Sequence, residues 1–443
     1  MTLPQRVDRE RCGEWFRRNR RRTQQWFDLV KPEAYYEQPI SLRNPLVFYE
    51  GHAAAFNVNT LVKRGLARTG ADESLETLFE RGIDPHESTA GAGATPAERW
   101  PDRSTVRAFA EETDALVRDA IYSDEATRPD NEFLRDGLAI YTILEHEMTH
   151  HETLLYMYQW LPYDMKRCPE GYEPIPGGLP PRGATAMVPA GRASIGATPG
   201  AEPFGWDNEF PGRTASVPAF EIDVYDVTNR DYLEFVEAGG YERPEFWTPE
   251  NWQWREREGL QHPIFWVRRD GDWYWHGLFH EVPLPPAWPV YVSHAEASAY
   301  ACWKGRRLPT EAEFHRAAFG TPEGRERRYP WGDEPGGVQR GNFDVRLWDP
   351  VPVGSHPDGV SAWGIHDLVG NGWEWTSTVF AGLPGFKPLT TYPQYSADFF
   401  DGEHFVMKGA SPVTPAGLVR PSFRNWFRAR YPYSFATFRC VLR

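Results

Sequence analysis

The chain has 443 residues, too many for one ordinary hydrophobic core, so two domains are expected. Its net charge of −14 speaks against nucleic acid as a partner, because phosphate binding needs a basic surface. No apolar run reaches the roughly 18 residues of a membrane-spanning helix, so no membrane partner is expected. The opening stretch, MTLPQRVDRERCGEWFRRNRRR, is basic without an apolar centre and does not read as a secretory signal. The arginine run at 17–22 reads as a solvated helix face. Segments 8–30, 50–68, 103–121 and 131–161 carry apolar residues at three- and four-residue spacing, which predicts a four-helix bundle. The pattern breaks near residue 165, where CPEGYEPIPGGLPPRG (168–183) is too rich in Pro and Gly for helix or central strand. The predicted division is therefore a helical domain 1–167, a linker 168–184 and a second domain 185–443. In the second domain short strand-like pieces (AMVPAGRASIG, ASVPAFEIDVYDVTN, PVYVSH) alternate with turns, helices at 294–304 and 310–318, and loops dense in Trp, Gly and Pro. The expected fold class is α+β. Cys12, Cys168, Cys302 and Cys440 are scattered without a CxxC pair, which fits a reducing, cytoplasmic setting. Aromatic residues make up 15% of the chain, 19 of them Trp, and ring faces attract quaternary ammonium groups.

The sharpest local signal is LEHEMTHHETLLYM (144–157). His146 and His150 stand four apart on a predicted helix, so both imidazoles project from one face and can share an ion. Three readings compete. The plainest makes them core or surface histidines without a ligand role. A second takes the string as the HExxH of a zinc protease with Glu147 as general base, although no third ligand follows in an extended motif. The third is a histidine-only shell for a redox metal, completed by His52 in FYEGHAAAFNVNTL, where small neighbours leave room for an ion. Three neutral nitrogens suit Fe(II), Zn or Cu and leave coordination positions open. His151 faces away by helical geometry and reads as a supporting or surface residue. Glu147 and Glu152 read either as supports for the ligands or as solvated groups.

The remaining motifs carry a resemblance. The N-terminal part resembles a DinB-type bundle with an H…HxxxH iron site. The part from about 185 resembles the formylglycine-generating-enzyme (sulfatase-modifying factor, C-type-lectin-like) fold. Its landmarks are MVPAGRASIG (187–196), FGWDNEFP (204–211), FEIDVYDVTNRDYLEF (220–235), GRRLPTEAEFHRAA (305–318), YPWGD (329–333), WGIHDLVGNGWEWTST (363–378) and SFRNWFRARYPYSFATFRC (422–440). This order of modules is similar to the EgtB, OvoA and SenA enzymes, which join sulfur or selenium to an imidazole ring. The resemblance implies Fe(II) held by His52, His146 and His150, with hercynine, O2 and a thiol or selenosugar donor as small-molecule partners. It also implies that Asn425 and Trp426 hold the amino-acid end of hercynine. A formylglycine generator itself needs a copper-binding cysteine pair, whereas Cys302 and Cys440 fall where that fold packs its core.

Departures from the family pattern fall on the co-substrate side. The loop AGLPGF (381–386) carries Leu383 where one class has its catalytic Tyr, and Phe386 closes it as a candidate substrate contact. LFERGIDPHEST (78–89) stands where another class has paired tyrosines. Phe427 replaces an acidic residue that helps bind γ-glutamylcysteine, and Thr149 replaces a Gln before the second HxxxH histidine. Arg103, in WPDRSTV, is a candidate for the donor side. Tyr49, Tyr141 and Tyr156 are the candidate proton donors near the ligand helices. These departures lean the resemblance towards selenoneine synthases using a selenosugar. The alternatives are an EgtB-like sulfoxide synthase using cysteine or γ-glutamylcysteine, the zinc protease, and a non-catalytic betaine-binding protein.

Overall fold

Two aspartates start two of the long helices of the N-terminal half. Asp8 accepts from the Arg11 amide at 3.1 Å to open α1 (Arg9–Asp28), and Asp102 accepts from Thr105 at 2.9 Å to open α4 (Arg103–Tyr122). Between them lie α2 (Leu46–Asn57), which runs on into a π-helical stretch at Val58–Gly65, and the short α3 (Glu73–Leu78). The last long helix, α5, spans Leu138–Gln159. The computed structural model describes residues 7–80, 100–179, 181, 183–337 and 339–442. The chain divides into two units, Met1–Glu170 with Leu389–Pro393, and Gly171–Pro388 with Gln394–Arg443. No described helix is long and apolar enough to cross a membrane.

In the first unit every residue of α2 is buried, so its side chains are screened from water on all sides. α1, α4 and α5 pack a shared core that includes Phe16, Leu61, Val117, Ile121, Ile140 and Ile143. Two expectations need correcting. The apolar pattern from residue 131 predicts helix too early. Asp136 (φ 55°) and Gly137 (φ 74°) are left-handed, so the chain turns there and α5 begins at Leu138. The arginine run is not uniformly solvated either, because Arg20 is buried while Arg17, Arg18 and Arg21 are exposed.

The second unit combines helices and sheets, as α+β. Its 13 described strands, numbered in chain order, form four sheets. One sheet has the order β1 (Thr185–Val188), β4 (Phe220–Asp223), β13 (Val441–Leu442), β8 (Arg306–Arg307). A second has the order β11 (Asn425–Arg428), β10 (His404–Ala410), β9 (Gly372–Val379), β12 (Ala436–Thr437). β2 (Gly191–Ile195) pairs with β3 (Arg213–Val217), and β5 (Trp266–Arg269), β6 (Asp272–His276) and β7 (Glu281–Pro283) make the last sheet. Two helices escape a reading by hydrophobic period. These are α6 (Asn229–Glu237), which begins at the last residue of the strand-like stretch ASVPAFEIDVYDVTN, and α7 (Pro249–Glu258). The sequence did carry their start signals: a Thr228/Asp231 capping box, and Thr248 with Pro249 at the first helical position. Capping boxes also open α8 (His294–Trp303) and α9 (Glu311–Phe319).

His294, at the start of α8, stacks on Phe405 with ring centroids 3.8 Å apart. Burial pushes its pKa from 6.5 down to about 3. Between those two values the unfolded chain takes up a proton that the folded chain refuses. Its contribution is therefore complete above the unfolded value near 6.5 and is lost as the pH falls towards 3. The expected result is that His294→Phe shows a shallower loss of urea stability than wild type between pH 6 and pH 4. Parallel pH profiles would contradict it.

Candidate metal centre

His52 occupies the middle of α2 rather than its start. The residue before it is Gly51, where an added Cβ would lie 2.5 Å from the Phe79 ring. That close approach lets the Phe79 carbonyl meet His52 Nδ1 at 2.7 Å. A carbonyl can only accept, so Nδ1 carries the proton and Nε2 keeps its lone pair. Nε2 is buried with no hydrogen-bond partner. Leaving such a lone pair unsatisfied is costly unless something occupies it.

What Nε2 faces is the α5 pair. Ring centroids lie 4.9 Å apart for His52 and His150, 5.1 Å for His52 and His146, and 4.5 Å for His146 and His150. One nitrogen from each histidine lies within 4.8 Å of the other two. His146 Nε2 and His150 Nε2 are 3.1 Å apart. Metal–nitrogen bonds of about 2.0–2.1 Å place neighbouring ligand nitrogens at about that spacing. Phe56 stacks on the His146 ring at 3.5 Å and Phe48 on the His52 ring at 4.8 Å, fixing both planes. Burial holds all three imidazoles neutral, with His52 pushed down to about 4 and His146 and His150 well below their usual range. Mutual repulsion between the rings adds to the effect at His146 and His150. Three neutral, inward-facing nitrogens fit a divalent transition metal.

The intervening Glu147 does not join them. It is buried and turned towards α1, where Arg20 Nη1 and Thr23 Oγ1 each donate to its Oε1 at 2.6 Å. A general base for a zinc protease would have to face the metal, so the protease reading loses its base. His151 is buried as well, not on the surface, with Nε2 2.9 Å from Thr23 Oγ1.

The structure distributes the remaining candidates unevenly. Tyr49 packs 5.6 Å from the His150 ring. Tyr156 sits under the Arg43 guanidinium at 5.4 Å. Tyr141 instead packs on Trp15 at 6.5 Å and beside Cys12, with burial pushing its hydroxyl up to about 12. Arg103 donates to the Phe27 carbonyl at 2.7 Å and lies 3.6 Å from Glu50. The Thr149 hydroxyl turns back to the His146 carbonyl at 2.7 Å. The tyrosine-replacing stretch 78–89 lies outside the described residues from 81 onwards. In the second unit, Asn425, Trp426 and Phe427 follow one another on β11. Trp426 stacks on Phe380 at 4.3 Å, with Tyr395 at 5.2 Å and Phe399 at 5.7 Å around it. Phe427 stacks on Tyr431 at 4.8 Å, and Phe386 lies edge-on to Phe400 at 5.0 Å.

One residue at the site went unnoticed in the sequence. Tyr392, in the Leu389–Pro393 segment of the first unit, packs edge-on to His146 at 5.8 Å and lies 5.2 Å from Phe56. Nothing in LTTYP points to a site, and only the long-range fold brings it there.

The Sulfatase-modifying factor enzyme 1-like domain family matches residues 179–443, and the DinB superfamily matches residues 16–154. A hercynine oxygenase of Mycolicibacterium thermoresistibile is 34% identical over 409 residues, spanning 87% of this chain and 84% of the relative. The chain belongs to the hercynine oxygenase, EgtB-like family. A second hercynine oxygenase, of Mycolicibacterium smegmatis, is 37% identical over 300 residues, covering 66% of this chain and 68% of its own. Ergothioneine biosynthesis protein 1 of Neurospora crassa is 26% identical and covers 93% of this chain, which spans 55% of that longer protein. Both modules of this hercynine oxygenase family member are thus matched, the first holding the three histidines and the second the Asn425–Trp426 strand.

Proposed function

We propose that this chain is an Fe(II)- and O2-dependent oxidoreductase that joins sulfur to the imidazole C2 of hercynine, with His52, His146 and His150 as the iron ligands. The observation that carries the reading is the convergence of three neutral imidazoles, two buried and that of His150 half-buried, with the His52 lone pair turned inward and unsatisfied. Ferrous iron bound there supplies the activation of O2. The protein supplies the rest. The Phe79 carbonyl fixes the His52 tautomer, Phe56 and Phe48 hold two ring planes, and the wholly buried α2 excludes bulk water. On β11, Trp426 with Phe380, Tyr395 and Phe399 offers ring faces for the trimethylammonium of hercynine, and Asn425 offers polar contacts for its carboxylate.

The co-substrate we assign is a thiol, cysteine or γ-glutamylcysteine, because the relatives are named for hercynine oxygenation and ergothioneine biosynthesis. The selenosugar reading draws only on the departures at Leu383, Phe427 and Thr149. No relative reported above is named for selenium chemistry.

One experiment separates these readings. The Fe(II)-loaded chain is incubated with hercynine and, in turn, cysteine, γ-glutamylcysteine or a selenosugar, with and without O2, and the products are weighed by mass spectrometry. The expected product is a hercynine–thiol sulfoxide formed only with O2. A selenium adduct alone would reinstate the selenosugar. O2 uptake that hercynine does not change, with no new mass, would leave a betaine binder and overturn the proposal.

A further inference from the structure

The second unit carries a cleft of about 410 Å3 that shares no residue with the three histidines or with β11. That is room for a small molecule, since ligand sites run from about 300 to 1,000 Å3. α6 supplies one wall through Arg230 and Leu233, and β6 supplies the other through Asp272, Trp273 and Tyr274.

The walls are pinned. Asn229, the first residue of α6, donates from Nδ2 to the Pro285 carbonyl at 2.9 Å and accepts from the Trp266 indole at 3.1 Å. The amides of Asn229 and Arg230 donate to the Trp288 and Pro286 carbonyls at 2.9 and 3.1 Å, so the helix start is spent on the protein's own backbone. On the other wall β6 lies between β5 and β7, with Tyr274 opposite Pro283. Trp273 is held edge-on by His262 at 5.0 Å and by Trp266 at 5.6 Å. What the cleft offers a ligand is therefore its side chains.

Two of those side chains carry opposite charges from opposite walls. Arg230 is 3.7 Å from its chain neighbour Asp231, with side chains 46% and 35% exposed, a pair that solvent screens. Among the described residues Asp272 is in no ion pair, so the two charges of the cleft do not neutralise each other. A plain anion would meet Asp272 and a plain cation would meet Arg230. A molecule with both a carboxylate and a cationic end satisfies the two together. The half-buried rings of Trp273 and Tyr274 adjoin Asp272 in the chain, and ring faces with a carboxylate beside them suit a quaternary ammonium best.

We propose that this cleft is a second ligand site that takes a small betaine, its carboxylate on Arg230 and its quaternary ammonium beside Asp272 against Trp273 and Tyr274. The site stands whether or not the histidines hold iron.

The test is calorimetric titration of the full chain with glycine betaine, in wild type, Arg230→Glu, Asp272→Lys, the double reversal and Tyr274→Ala. Both charged positions are exposed, and circular dichroism checks that each variant is folded. Each single reversal should weaken binding by about tenfold or more, because it sets like charges together. The double reversal should restore affinity to within about threefold of wild type, since the ligand can bind turned end for end. Tyr274→Ala should cost about two- to fivefold, the size of one exposed cation–π contact. Glycine, with a primary ammonium, should bind more weakly than glycine betaine. Trp426→Ala separates this site from β11: binding that survives there and falls in the reversals belongs to the cleft. No binding in wild type, equal affinity in the single reversals, a double reversal as weak as the singles, or binding lost in Trp426→Ala would each overturn the proposal.

Discussion

Replacing His150 by alanine is expected to leave the chain folded but unable to hold iron. Wild type loaded anaerobically with Fe(II) and desalted should retain about one iron per chain, as a single three-ligand site requires. His150→Ala should retain almost none, and hercynine-dependent O2 uptake should vanish with it. The physical reason is the spacing. With His150 gone, the His146 and His52 rings are left as two neutral nitrogens in a buried pocket, too few to repay the dehydration of a divalent ion. His52→Ala should behave alike. His151→Ala is the control, because its imidazole faces Thr23 and Trp26 rather than the other histidines, so iron should stay. Circular dichroism confirms that the helices persist in each variant. Stoichiometric iron retained in His150→Ala would sink the ligand assignment.

How far the site could be read in advance depended on the range of the contacts involved. The α5 pair was legible because an i, i+4 spacing on a helix is a local fact. His52 was legible as a candidate from its small neighbours, yet its position in mid-helix was not, because helix start signals are absent there: Pro45 precedes α2 and makes no side-chain cap. The destination of Glu147 was hidden for a different reason. Residues one apart on a helix diverge by about 100°, so the partner of Glu147 had to come from another helix, and Arg20 lies 127 positions earlier. An arginine run reads as solvated by charge alone, and only the packing of α1 on α5 selects Arg20 for burial. Tyr392 was the least legible, 246 residues from His146 with no motif around it. In the second unit the helices expected at 294–304 and 310–318 are α8 and α9, each opened by a capping box. α6 opens with a capping box too, but directly after the aromatic and β-branched run of FEIDVYDVTN.

Arg20→Met is expected to destabilise the helical unit by about 3–5 kcal/mol, the usual cost of removing one partner from a buried ion pair. Arg20 lies between two acids. Its Nε meets Asp114 at 2.8 Å and its Nη1 meets Glu147 at 2.6 Å, with Arg20 and Glu147 side chains 7% and 1% exposed. Asp114 feels the burial already: desolvation raises its pKa, and Arg20 pulls it back only in part. Methionine fills the space of the stem but leaves both carboxylates without their cation, one of them in a near-dry interior. Glu147 keeps only its neutral partners, Thr23 at 2.6 Å and Asn57 at 3.5 Å. The measurement is urea unfolding followed by the helical signal, with iron removed so that metal binding does not mask the change. A midpoint equal to wild type would show the network to be idle. The triple variant Arg20→Met, Asp114→Leu, Glu147→Leu should recover much of the loss, because replacing a whole buried charge cluster by apolar groups costs far less than breaking it. Recovery in the triple variant together with normal iron content would separate the two faces of α5, one clamped to α1 by charge and the next offering its imidazoles to the metal.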